Sequence, residues 1–549
     1  MIEKAVLSNQ RLVFSYIQIL FFMKNLLLRS IVLVSMMSIT VISSATAIDS
    51  SMLLVTTEQG LVRGIIVDSV CVWKGIPYAK APVGDLRFRA PQRPDSWAGV
   101  RDGSAFGPAA PQTRRIARQP NGRSEDCLSL NVWAPAADGQ KRPVMVWIHG
   151  GGFLVGSNST EMYDGASLSR NGDVVVVNIN YRLGGLGFLY FGGIRGSNAG
   201  FDDNLGIRDQ VAALQWVKNN IAAFGGDPDM VTVFGESAGA ISVLTLMAVP
   251  SAHGLFKRAI VESASPESLW QPKTATDLTL RYLKMLGVTP DNLATLKTIP
   301  TDTFTEKMDA LFNELMHETT TVKILAPTID GIFVTEDPLS AIREGKAAGI
   351  DLMIGTTKDE STLLALKRIG ITPRNAEELA PYLANIAPEK RKNLIAQYRH
   401  FPRRRGVMAM TTDGIFIMPS IKVSELQTKF ASTYMYRFDW SSPAMKLFGL
   451  RACHGAELPF VFGTLDRSPG KYFALLSNKK LNWKLSHQIQ LSWSNFARYG
   501  NPDPKGETAW GKYDASQRST MIFDKKKIQA MSDPRSEQRV AWIGLSIFK

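Results

Sequence analysis

Three cysteines in 549 residues exclude a disulfide framework: at most one bridge can form, and one thiol must stay free. None of Cys71, Cys127 and Cys453 stands at metal-ligand spacing, so neither a metal nor another cofactor is expected. The chain also lacks Gly/Ser- or Pro-rich linkers, charge blocks and internal repeats. That argues against tethered domains or a solenoid and for one large unit. No stretch reaches the roughly 18 uncharged apolar residues that span a bilayer. Lys24 and Arg29 break the nearest approach. Histidine is scarce as well, six residues in all, which permits a base to be sought by elimination.

What is present is ordinary globular composition, 45% hydrophobic and 20% charged, ample for a large core. Residues 1–47 read as an N-terminal extension plus signal peptide, with residues 48–549 as the single folded domain. Met23 is the expected start, Lys24 and Arg29 the basic region, and Ile31 to Ile42 the apolar core. Ala45-Thr46-Ala47 supplies a small-residue cleavage site. A cleaved, secreted or periplasmic protein without a stable membrane anchor is therefore expected. The net charge is +14, or about +11 without the leader's four basic residues and one acidic one. No nucleic-acid motif or aromatic–basic interleaving accompanies it, so no nucleic-acid partner is expected. A basic solvated surface and attraction of anionic substrates both remain open.

The chemistry gathers in two short segments. Gly235-Glu236-Ser237-Ala238-Gly239 follows the apolar run Met230 to Phe234 and opens a helix-like stretch from Ala240. This is a G-x-S-x-G nucleophile elbow in its strand–turn–helix setting. The glycines leave room for a strained turn that exposes the serine Oγ. Upstream, the buried-strand run Pro143 to Ile148 leads into His149-Gly150-Gly151-Gly152. Consecutive glycines there bring bare N–H groups close to a developing oxyanion.

A serine nucleophile of this architecture needs an acid and then a histidine downstream. His149 belongs to the glycine loop, and His253, His317, His400 and His487 stand in polar or helical contexts. His454 lies in a loop of small residues before the apolar Leu458 to Phe462, and it is assigned as base. The acid should follow the strand Asp351 to Gly355, where Asp359 and Glu360 both qualify by position.

From about Val55 to Gly511 the chain resembles the type-B carboxylesterases, the family of cholinesterases and bacterial para-nitrobenzyl esterases. The resemblance rests on Lys74 to Ala79, Pro82 to Phe88, Ser124-Glu125-Asp126-Cys127-Leu128, Asn180-Tyr181-Arg182, Ala222 to Pro228, Asn495-Phe496-Ala497 and Gly500-Asn501-Pro502. It implies that the acid of the Asp-Glu pair is Glu360, with Ser237 and His454 completing a triad. It also implies that the oxyanion donors are the N–H groups of Gly151, Gly152 and Ala238. Arg87 and Glu125 match a structural ion pair, and Trp270 aligns loosely with an acyl-pocket residue, although packing explains it equally well. Two departures stand out. The family's usual disulfide partner for Cys127 is missing from Phe106-Gly107-Pro108-Ala109-Ala110. The loop from Ala110 to Cys127 also has no aromatic residue for a cation–π site and carries Arg114, Arg115, Arg118 and Arg123 instead.

The fold implied is α/β-hydrolase: a mainly parallel central sheet with helices on both faces and catalytic loops at the strands' C-terminal edge. Val174 to Asn178 reads as a central strand, and Ile207, Val211, Leu214 and Ile221 place a packed helix over Gly206 to Phe224. The expected activity is serine carboxylesterase action on small-molecule esters. Anionic or polycarboxylate esters are favoured, fumonisin-type toxin esters being one such class. An acyltransferase using the same triad and a neuroligin-like adhesion protein are the alternatives; the latter lack a working serine.

Overall fold

The computed structural model describes residues 53–113, 121–194, 200–315, 325–366 and 369–548. The leader expected over residues 1–47, with its start at Met23, lies outside the described residues, as do Arg114, Arg115 and Arg118. The strands are β1 (Leu54–Thr57), β2 (Gly60–Arg63), β3 (Ile65–Val67), β4 (Val70–Pro77), β5 (Val100–Asp102), β6 (Ser129–Ala134) and β7 (Arg142–Ile148). They continue with β8 (Val175–Ile179), β9 (Gly226–Glu236), β10 (Arg258–Glu262), β11 (Asp351–Thr357), β12 (Thr433–Phe438), β13 (Ser519–Phe523) and β14 (Ile528–Ser532).

Strand β7 shows why the sheet forms. Every residue of it is buried. Val144, Val146 and Ile148 enter one core, while the alternate Met145 and Trp147 enter the other. A strand covered on both faces has no polar side to alternate with, so it reads as a continuous apolar run. The large sheet runs β14-β13-β12-β11-β10-β9-β7-β8-β6-β4-β3, with β1, β2 and β5 in a small separate sheet. All pairings from β13 across to β8 are parallel. Antiparallel strands close both margins.

Helices α1 (Leu205–Asn220) and α2 (Ala238–Ala248) cover the first face. There Leu214, Val217, Val243 and Leu246 join the core of Val144 and Ile148. Helix α3 (Arg404–Thr412) runs through a π-helical turn, Asp413–Ile417, into α4 (Met418–Gln427). Helix α5 (Lys479–Tyr499) covers the second face with Leu485, Ile489, Trp493 and Phe496. The helix expected over Gly206 to Phe224 is α1 plus a tighter 3₁₀ turn, Ile221–Phe224. Gly225, at φ 80°, takes up the orphaned carbonyls there. Among the described residues no helix is long and apolar enough to cross a membrane. All three cysteines are free and buried.

Arg87 and Glu125 form a bidentate pair, with Nε donating to Oε2 at 2.8 Å. The same guanidinium donates to the carbonyls of Leu296, Lys297 and Ile299. That ties the chain before β5 to the end of a distant turn.

Candidate active site

Ser237 sits between β9 and α2 with φ 59° and ψ −122°, a backbone conformation that costs a non-glycine residue about 1–3 kcal/mol. The surroundings force it. A Cβ on Gly239 would lie 2.0 Å from the Ile148 carbonyl oxygen, and one on Gly235 would lie 2.7 Å from the Gly239 carbonyl. Ser237 N–H is held by the Glu262 carbonyl at 3.0 Å. The serine is half-buried.

The glycine loop after β7 lies against this elbow. A Cβ on Gly150 would approach Ser237 Cβ to 3.1 Å, and one on Gly151, at φ 113°, would strike the Val155 carbonyl at 2.1 Å. Among the described residues no backbone acceptor takes the N–H groups of Gly151, Gly152 or Ala238. These three N–H groups are free to meet a ligand oxygen. His149 anchors the loop: its ring stacks on Tyr181 with centroids 4.6 Å apart, and Nδ1 lies 2.9 Å from the Gly150 carbonyl. Burial pushes the His149 pKa down to about 4, so the ring is neutral at pH 7 and its role is structural.

Beyond β11, Lys358 N–H bonds to the Phe438 carbonyl and Asp359 N–H to the Ala452 carbonyl. The turn so fixed directs Glu360 inward, wholly buried, and leaves Asp359 half-buried. Glu360 Oε2 lies 2.6 Å from His454 Nδ1. Its Oε1 accepts from Ser263 Oγ and from Thr357 N–H, both at 2.6 Å. A carboxylate can only accept in such a contact, so Nδ1 carries the hydrogen and Nε2 is the exchangeable nitrogen. The His454 ring packs on Phe416, from the π turn, with centroids 5.2 Å apart.

Nε2 faces Glu236 Oε1 at 3.1 Å, and among the described residues no hydrogen bond joins it to Ser237 Oγ. An imidazole lone pair and an ionised carboxylate cannot face each other at that distance without cost, so the two groups hold one proton between them. Burial disfavours charge on His454, yet the Glu236 and Glu360 carboxylates outweigh it and raise the imidazole pKa to about 9. Burial raises the Glu236 carboxyl to about 7 against the pull of His454.

A second buried layer lies behind. Burial raises Glu262 to about 8 although Trp493 Nε1 donates to it at 2.7 Å. Burial, with Glu360, Glu262 and Glu236 nearby, holds Glu457 well above the carboxylate range. Ser263 Oγ touches this layer as well, 3.4 Å from Glu457 Oε1.

The structure thus brings Ser237, the glycine loop and Ala238 together at the end of β9, and Glu360 against His454. Trp270 is half-buried and packs against the larger core, with its backbone paired to Thr328 and Ile329. The sequence reading missed Glu236, Glu262, Ser263 and Phe416 as neighbours of the site. Glu236 had a visible signal, its place inside the elbow pentapeptide.

Residues 51–542 match the model of the carboxylesterase family. The para-nitrobenzyl esterase of Bacillus subtilis (strain 168) is 39% identical over 495 residues, 88% of this chain and 97% of that protein. The phenmedipham hydrolase of Pseudarthrobacter oxydans is 32% identical over 489 residues, 87% of this chain and 96% of that protein. A solved PNB esterase superposes with a TM-score of 0.81 at 38% identity, covering 89% of this chain and 99% of its own.

Proposed function

The chain belongs to the carboxylesterase family and hydrolyses carboxylic esters, and from that premise we propose that Ser237, Glu360 and His454 carry the reaction in two acyl-transfer steps. Ser237 Oγ attacks the ester carbonyl carbon while His454 Nε2 takes its proton. Glu360 fixes the imidazole tautomer through Nδ1. The N–H groups of Gly151, Gly152 and Ala238 stabilise the oxyanion. The tetrahedral intermediate expels the alcohol, which regains the proton from His454. Water activated by the same nitrogen then hydrolyses the acyl-enzyme and frees Ser237.

The observation that carries this reading is the 2.6 Å contact of His454 Nδ1 with Glu360 Oε2, formed beside a serine held at φ 59°. The Ser237–His454 contact closes when substrate arrives, as such contacts often do. A phosphonate inhibitor should label Ser237, and Ser237→Ala should abolish turnover with folding intact. Labelling at another serine, or substantial residual activity, would refute the assignment.

The substrates proposed are anionic esters, polycarboxylate esters among them. The supports are the +14 net charge and the arginine-rich, aromatic-free segment around Arg114, Arg115 and Arg118, since guanidinium forks bind carboxylates bidentately. Anionic esters should show higher kcat/KM than neutral esters of equal size, an advantage that shrinks with salt. Equal performance at low salt rejects the preference. Export through the leader over residues 1–47 belongs to the same proposal, and N-terminal sequencing of the mature protein should begin near Ile48.

A further inference from the structure

Away from the site, positive charge gathers on one turn. Arg399, His400, Arg403, Arg404 and Arg405 fall within seven residues at the start of α3. The turn is rigid. Phe401 N–H donates to the Tyr398 carbonyl and Arg403 N–H to the His400 carbonyl, both at 2.8 Å. A Cβ on Gly406 would lie 2.3 Å from Phe401 N, so only glycine lets the first turn of α3 press onto it. Arg403, Arg404 and Arg405 stand exposed, at the helix end whose dipole already favours anions.

Arg451, at φ 55°, lies within electrostatic reach of His400, as do Arg399, Arg403 and Arg405. Asp359 is within reach of Arg451 too. Among the described residues, however, none of Arg399, Arg403, Arg404, Arg405 and Arg451 forms an ion pair.

The turn that ends at Arg451 also carries an apolar tip. Leu447 is 77% exposed and Phe448 64% exposed. The N–H groups of Leu450 and Arg451 both return to the Met445 carbonyl, at 2.8 and 3.1 Å, so tip and arginine share one tight loop. Lys446, exposed, flanks it.

Large apolar side chains held in water beside unpaired cations have a specific complement. Lipid phosphates suit the guanidinium groups, and the boundary between headgroups and acyl chains suits leucine and phenylalanine. A soluble polyanion would leave Leu447 and Phe448 without a role, and a neutral bilayer would leave the arginines without one. We propose that the Arg403–Arg405 turn, Arg451 and the Leu447–Phe448 tip dock the protein reversibly on anionic phospholipid bilayers, beside the loop that carries His454.

Flotation of the mature protein, from Ile48 onward, with phosphatidylcholine vesicles, with and without phosphatidylglycerol, tests this separately from ester hydrolysis. Binding should require phosphatidylglycerol and weaken with salt. Each basic residue near such a surface contributes roughly fivefold in partition, so the triple variant Arg403→Gln, Arg404→Gln, Arg405→Gln should lose roughly a hundredfold. The pair Leu447→Ser, Phe448→Ser should lose roughly tenfold or more. Both variants should hydrolyse a short water-soluble ester at the wild-type rate, which shows that they are folded. Equal flotation with neutral vesicles, or unchanged partition in either variant, overturns the proposal. So does displacement by soluble polyphosphate with no effect of the leucine–phenylalanine pair, since that outcome marks a site for free polyanions.

Discussion

Replacing Glu236 by Gln should move the acid limb of the pH–rate profile downward. Glu236 Oε1 stands 3.1 Å from His454 Nε2, and the ionised carboxylate holds a proton on the nitrogen that must accept one from Ser237. At an effective dielectric of about 20, two unit charges at that separation attract by roughly 5 kcal/mol. Partial exchange of the proton between the groups reduces this ceiling. An opposite charge at such range ordinarily shifts a pKa by about 1–3 units. The imidazole, raised to about 9 by both carboxylates with burial opposing, should therefore titrate between about 6 and 8 once Glu360 alone remains. Gln is nearly isosteric, and among the described residues Glu236 Oε1 has no hydrogen-bonding partner to lose other than His454 Nε2 itself. The assay is kcat/KM for a soluble neutral ester across pH, with the position of the limb as the readout rather than the height of the plateau. A limb that stays in place, or moves to higher pH, refutes the shared proton.

Glu360→Gln should impair kcat far more than Asp359→Asn, because only Glu360 reaches His454 Nδ1; equal losses in steady-state kinetics would unseat it. Glu262 bears on stability instead. Its folded-state pKa is raised to about 8 by burial, so its contribution is fully present below the ordinary carboxylate range and is lost as pH rises toward about 8. Glu262→Gln, whose amide oxygen can still accept from Trp493, should raise Tm at pH 8 and flatten the alkaline fall in stability. A Tm that drops equally at all pH values would show that the buried carboxyl is not held protonated.

The parts of the fold that could be read from the sequence are those where one physical requirement dominates. Strand β7 and the Val231–Glu236 half of β9 are buried on both faces, and Pro143 to Ile148 and Met230 to Phe234 show as largely apolar runs. The elbow and loop glycines are dictated by close backbone approach, as the 2.0 Å clash at Gly239 demonstrates. The choice between Asp359 and Glu360 was not legible by position, because it depends on how the turn after β11 rotates. That rotation is set by backbone bonds to Phe438 and Ala452, distant residues whose approach no local pattern announces. The buried acids Glu262 and Glu457 escaped notice for a related reason. A glutamate in a sequence reads as surface, and only the assembled layers show it enclosed. The π turn that sets Phe416 against His454 is likewise a matter of helix registration, which periodicity alone does not resolve.

Strands β9, β10, β11, β12 and β13 are consecutive both along the chain and across the sheet. A chain that emerges N-terminus first can therefore extend one parallel sheet outward, strand by strand, from β7 and β9. At each stage the newest strand offers an open edge, the feature that makes partly made sheets prone to aggregate. Ser237 and its glycine loop emerge early in that growth, Glu360 after β11, and His454 only after β12. An unfinished chain can thus bear the nucleophile but not the base, and hydrolysis begins only when the growing margin is nearly sealed. The antiparallel β14 then closes it, preceded by Lys525, Lys526 and Lys527, charges that discourage any further strand from adding.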